Sequence, residues 1–170
     1  MRGPARILGH QMHPMLIVFP LGLLSTAAIF DLAYLVTERS TLLLLSYWLI
    51  PAGLIGGVLA ALTGLIDWIS IPSATRAKSV GLIHAAVNAA VMAIFFISWY
   101  LRPDPRSNPG MLPLLLSLTG VLIALPAGWL GGELVERLGI GVHPGANPNA
   151  PNSLLTDSAA ADGAAGTDGV

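Results

Sequence analysis

Four side chains able to bind a metal or carry a proton stand at the ends of long uncharged stretches: His13, Asp67, His84 and Glu133. Ionisable groups at membrane depth are expensive to bury, so a functional site is the default reading for them. Their neighbours extend the pattern. Thr63 precedes Asp67 by four residues and Asn88 follows His84 by four, so each pair shares one helix face. Met92 prolongs the His84–Asn88 stripe, and His10 lies three residues before His13.

Three chemistries fit these residue types. In the first, the set is a buried hydrogen-bond network in which Asp67 accepts from Thr63 and from a histidine. In the second it is a redox centre: His13 and His84 ligate haem b or a metal ion, Asp67 and Asn88 orient the imidazoles, and Glu133 is a third metal ligand. In the third, Asp67 and His84 relay a proton or an ion. Asp31 reads instead as an interfacial residue near a helix end, Glu133 and Arg137 as a surface pair, and Glu136 and His143 as solvated groups. The chain has no cysteine, which removes disulfides, thiolate metal sites, iron–sulfur ligation and thiol nucleophiles. It carries no phosphate-binding glycine loop, HExxH, GxSxG or Ser/His/Asp set, and so points away from an enzyme.

The elements that position these groups follow from composition. Of 170 residues only 10% are charged and 54% are hydrophobic, with a mean hydropathy of +0.74. A soluble domain carries about 25% charge. This chain cannot cover a globule with solvated side chains, which excludes a soluble enzyme, a nucleic-acid binder and a disordered chain. A polytopic membrane protein remains. Four runs meet the ~20 apolar residues that cross ~30 Å of hydrocarbon. The sequence predicts spans over about 15–36, 42–70, 80–101 and 111–134, forming an all-α, up-down four-transmembrane-helix bundle over residues 14–138. Residues 1–13 precede it as an N-terminal segment, with Pro14 opening the first helix. The first run is too long, and too interrupted by Pro14 and Pro20, for a cleaved signal peptide. From 143 to 170 the composition turns to Asn, Pro, Gly, Ala and Asp, and reads as a disordered aqueous tail.

In this topology His13, Asp67, His84 and Glu133 reach one layer, on the side of the N-terminus (the near side). In a four-helix bundle helices one and three can stand diagonally, with axes roughly 12–14 Å apart when neighbours are 8–10 Å apart, a span that suits two imidazoles with a metal between them. Tyr34, Tyr47, Trp48, Trp99 and Tyr100 fall at far-side ends, and Trp68 and Trp129 at near-side ends, as aromatic belts require. Small-residue ridges offer close helix approach, or a homo-oligomer seam: Gly53, Gly57 and Ala61 in helix two, Ala85, Ala89 and Ala93 in helix three, Gly120, Ala124, Gly128 and Gly132 in helix four. Near-side basic residues are Arg2, Arg6, Arg76, Lys78 and Arg137, against Arg39, Arg102 and Arg106 on the far side. That excess favours both termini in the cytoplasm.

The segments HPMLIVFPLGLL from His13, LTGLIDW from Leu62, LIHAAVN from Leu82 and GWLGGELVERLGIGV from Gly128 together resemble domain-of-unknown-function family 2231, small bacterial four-helix membrane proteins. They cover essentially all of the membrane part. The resemblance implies a multi-pass protein of the bacterial inner membrane. Some relatives are joined to redox domains of the Rieske type, which would make His13 and His84 the ligand positions and a redox membrane protein the partner. Relatives often carry a histidine where this chain has Leu138, so a ligand there would be missing from this member. The alternatives are a structural or assembly partner of another membrane complex, and a small proton or ion transporter acting as an oligomer. In every case the bilayer is a partner and nucleic acid is not.

Overall fold

The computed structural model describes residues 3–153; of the tail expected to be disordered over 143–170, residues 154–170 lie outside the described residues. A two-residue hairpin opens the fold, β1 (Arg6–Ile7) antiparallel to β2 (His10–Gln11). Leu8 and Gly9 turn it, both at positive φ, as a tight hairpin turn requires. Helices α1 (Met12–Leu16) and α2 (Val18–Thr37) form the first crossing, followed by α3 (Ser40–Ile69), α4 (Arg76–Tyr100) and α5 (Met111–Gly132). A π-helical turn at Glu133–Arg137 ends the bundle. Four helical segments, 12–37, 40–69, 76–100 and 111–137, are long and apolar enough to cross a membrane.

Local chemistry sets the boundaries. The first helix begins at Met12, two residues before Pro14, because the Met12 amide is satisfied by Ala5 O at 2.9 Å. Pro20 has no N–H for the Leu16 carbonyl, and the helix is interrupted at Ile17, where α1 gives way to α2. Glu38 caps α2 in the left-handed conformation, and Thr75 caps α4 by accepting from the Lys78 amide.

The helices form a ring in which α2 packs on α3 and α5, and α4 on α5 and α3, so helices one and three are indeed diagonal. Large apolar side chains point outward: Leu21, Ile29, Val36, Ile55, Leu122 and Leu125 are all more than 60% exposed. Alkyl groups on the outside and glycines and serines inside are the arrangement that lipid permits. Near-side Trp68 donates Nε1–H to Lys78 O, and the Lys78 ammonium lies 3.7 Å above its ring.

The bundle is two similar helical hairpins, α1–α2–α3 and α4–α5. His13, Leu24 and Asp31 in the first correspond to His84, Phe95 and Arg102, each 71 positions later. Gly53, Ala60 and Gly64 correspond to Gly120, Ala127 and Gly131, each 67 positions later. The contacts repeat as well. Leu24 fills the space over Gly53 as Phe95 fills that over Gly120, and His13 lies over Gly64 as His84 lies over Gly131. A quasi two-fold axis along the bundle relates the halves. In helix three, Ala85, Ala89 and Ala93 face outward, while α3 turns Gly53, Gly57 and Ala60 inward. The ridge that packs in α4 is Val91, Phe95 and Ser98.

Candidate functional site: paired histidines at the near end

His13 is carried by the short α1 and His84 by the second turn pair of α4; both are half-buried. His13 Nδ1 lies 2.8 Å from Ala60 O, and His84 Nδ1 lies 2.9 Å from Ala127 O. A carbonyl oxygen only accepts, so both Nδ1 atoms carry a proton, and in the neutral ring Nε2 is then the atom with the lone pair. Each ring lies over a glycine, Gly64 or Gly131, where a Cβ would fall within 3.2 Å of it. The ring centroids are 6.4 Å apart with planes at 84°. The predicted approach of His13 to His84 across the diagonal is therefore present.

Asn88 lies against His84: its Nδ2 donates to His84 O at 2.8 Å and sits 3.3 Å from Nε2. Thr63 and Asp67 behave otherwise than expected. Thr63 donates to Ala60 O, the same carbonyl that receives His13, and not to Asp67. Asp67 accepts from the N-terminal segment instead: the Ala5 amide donates to Oδ1 at 3.0 Å, and with the Gln11 amide turned so that both its ends are satisfied, the Gln11 nitrogen donates to Oδ2 at 2.9 Å. Glu133 does not pair with Arg137. It accepts from Arg76 at 2.6 Å, because the π-helical turn puts its residues out of the i, i+4 alignment while the start of α4 lies alongside. The structure thus gathers His13, His84 and Asn88, and holds Asp67 and Glu133 in other pairs. Among the described residues no three His, Asp or Glu side chains come together as a metal site.

A second polar cluster at the far end was not foreseen. Asp31, read from sequence as interfacial, has no exposed surface, and neither do Ser46, Ser98 and Ser117. Arg102, read as a loop residue, is 4% exposed and reaches back to make two bonds to Asp31, Nη1 to Oδ1 at 2.8 Å and Nη2 to Oδ2 at 2.6 Å. Ser117 donates to Asp31 Oδ2, and Ser46 and Ser98 each lie 3.2 Å from a guanidinium nitrogen. All four helical segments contribute. The signal was present in the numbering: Asp31 follows His13 by 18 residues and Arg102 follows His84 by 18. Eighteen residues of helix rise about 27 Å, so the two pairs lie near the two edges of one hydrocarbon layer.

The comparisons with known proteins agree with this architecture. No curated protein and no solved structure matches the chain. A family model described as a predicted membrane protein, DUF2231, matches residues 9–144, a stretch that takes in the near-side hairpin's second strand, all four helices and both polar clusters. The chain is a multi-pass membrane protein that belongs to the DUF2231 family.

Proposed function

We propose that the protein is a haem-binding, electron-transferring subunit of the bacterial cytoplasmic membrane, with His13 and His84 as the residues that would hold the haem iron. The observation that carries this reading is the arrangement of the two imidazoles: each is fixed through Nδ1–H to a helix carbonyl, neither Nε2 is bound to the backbone, His84 Nε2 meets only the Asn88 amide at 3.3 Å, and the rings stand on opposite helices 6.4 Å apart. Ligand histidines are characteristically oriented through the other ring nitrogen in this way. Two metal–nitrogen bonds of about 2.0–2.1 Å plus the half-widths of two rings span roughly 6 Å. A bare ion such as zinc asks for three or four protein ligands, whereas haem iron takes four from its own ring and needs only two from the protein. The residues here therefore suit haem better than an unsupported ion. The quasi two-fold axis between the histidines also suits a group with two equivalent faces.

When bound, such a group supplies one-electron transfer. The chain's own residues do the rest. Ala60 and Ala127 carbonyls hold the ring orientation, Gly64 and Gly131 admit the rings close to the helices, and Asn88 braces His84. The test is an absorption spectrum and iron assay of protein purified in mild detergent from haem-replete cells. A Soret band with one haem per chain is expected, lost or reduced to a single axial ligand in His13→Ala and in His84→Ala. Colourless, iron-free protein would overturn the reading.

A further inference from the structure

The two histidines are not equally well held. His84 follows eight residues of unbroken α4, while His13 sits in α1, a five-residue helix that buries no residue of its own. So short a helix has no independent stability in solution or at an interface. Pro20 removes the amide that would bind the Leu16 carbonyl, which thins the hydrogen-bond ladder at Ile17, where α1 passes into α2 through bonds from the Ile17 amide to His13 O and from the Leu21 amide to Ile17 O. Beyond this thinned junction and its packing on α3, the turn is fixed by the Ala60 carbonyl at His13 and by the segment preceding it.

That segment is tied to Asp67, near the end of α3. Asp67 Oδ1 receives the Ala5 amide and Oδ2 the Gln11 side chain, whose own oxygen accepts the Gly3 amide at 2.8 Å. The Ala5 carbonyl in turn accepts the Met12 amide, the first of α1. Gly3 is required, since a Cβ there would collide with the carboxylate. Both oxygens of Asp67 are thus spent on residues 5 and 11, which bracket the hairpin that leads into α1 and His13. The second hairpin has Leu134 at the equivalent position, 67 further on, and its histidine has no such need.

We infer that Asp67 is a positioning residue for His13: it acts as the clasp of an N-terminal strap that sets where the His13 imidazole points. This deepens the haem reading, in which His13 is a ligand, but the strap can be tested without haem. The experiment is nitrogen-detected NMR of the two histidine side chains, with amide exchange at Ala5, in the full chain in detergent. Asp67→Ala is expected to shift or broaden the His13 Nδ1–H signal, leave His84 in place, and speed exchange at Ala5 at least tenfold. Asp67→Asn, which keeps an acceptor oxygen for Ala5, should restore most of the His13 signal. Should Asp67→Ala not fold, Gln11→Ala removes one arm of the clasp and carries the same expectation. An unmoved His13, or equal changes at His13 and His84, would overturn the inference. In protein that carries haem, Asp67→Ala should convert a six-coordinate spectrum to a five-coordinate one. Colourless wild-type protein would defeat the haem reading and leave the histidine signals to decide the strap.

Discussion

At the scale of single residues, the pair Asp31–Arg102 is the most demanding interaction in the molecule. Both charges are removed from solvent, and their desolvation is offset only because the pairing is bidentate and a serine also donates to the carboxylate. Removing one partner leaves the other charge buried alone. Asp31→Ala should therefore cost about 3–5 kcal/mol, measured by unfolding in mixed detergent micelles, whereas the joint change to Asp31→Leu and Arg102→Leu should cost much less. A single variant within 1 kcal/mol of wild type would show that water reaches the pair. The near-side histidines were legible in the sequence because topology alone brings helix ends into one layer. The far-side pair was not: each residue taken singly looks like a charge at a rim, and only the rotation of α2 against the chain after α4 shows that they neutralise each other. Asp67 stood out in the sequence but its partners did not, since they are the Ala5 backbone amide and the Gln11 side chain, in a segment with no hydrophobic signal.

At the scale of elements, association rests on large side chains seated over glycines. A Cβ on Gly120 would lie 2.6 Å from Phe95 and one on Gly53 would lie 2.7 Å from Leu24, both buried. Neither side chain has room to retreat in a close-packed interior. Gly120→Ala is accordingly expected to destabilise by about 1–3 kcal/mol, as overpacking does, and Phe95→Leu in the same chain should recover part of it. Ala89→Leu, on the outward ridge of α4, should change stability by no more than about 0.5 kcal/mol. A non-additive Gly120/Phe95 cycle together with a silent Ala89 would verify which ridge packs. The spans themselves were readable to within a few residues, because length and absence of charge are one-dimensional properties. Which small residues face inward was not, because α4 is apolar nearly all round and its periodicity carries little contrast. The repeat of one hairpin in the other was hidden for the same reason: few of its equivalent positions keep the same residue, the histidines among them, and the rest keep only a role.

At the scale of the whole molecule, the ion pair bears on how the bundle sits in the membrane. Orientation follows the distribution of Lys and Arg in short loops that are free to interact with the surface and the translocation machinery. Arg102 is buried against Asp31 and does not belong to the far-side loop, which leaves Arg39 and Arg106 there. On the near side Arg6, Arg76, Lys78 and Arg137 remain, with Arg2 outside the described residues. The bias is thus steeper than a count along the chain gives, and the prediction that follows from it is a near side, with both the N-terminal strap and the residues after the π-helical turn, in the cytoplasm. The chain has no cysteine, so single introduced thiols report without background. Ser73, between α3 and α4, and Ser107, between α4 and α5, are both exposed. In intact cells, Ser107→Cys should react with a membrane-impermeant maleimide and Ser73→Cys should react only after lysis. The reverse pattern would put the histidine pair toward the periplasm and move any electron donor or acceptor to that face. Reaction of both in intact cells would mean that 73 and 107 share one side, which the odd number of crossings between them forbids for this bundle.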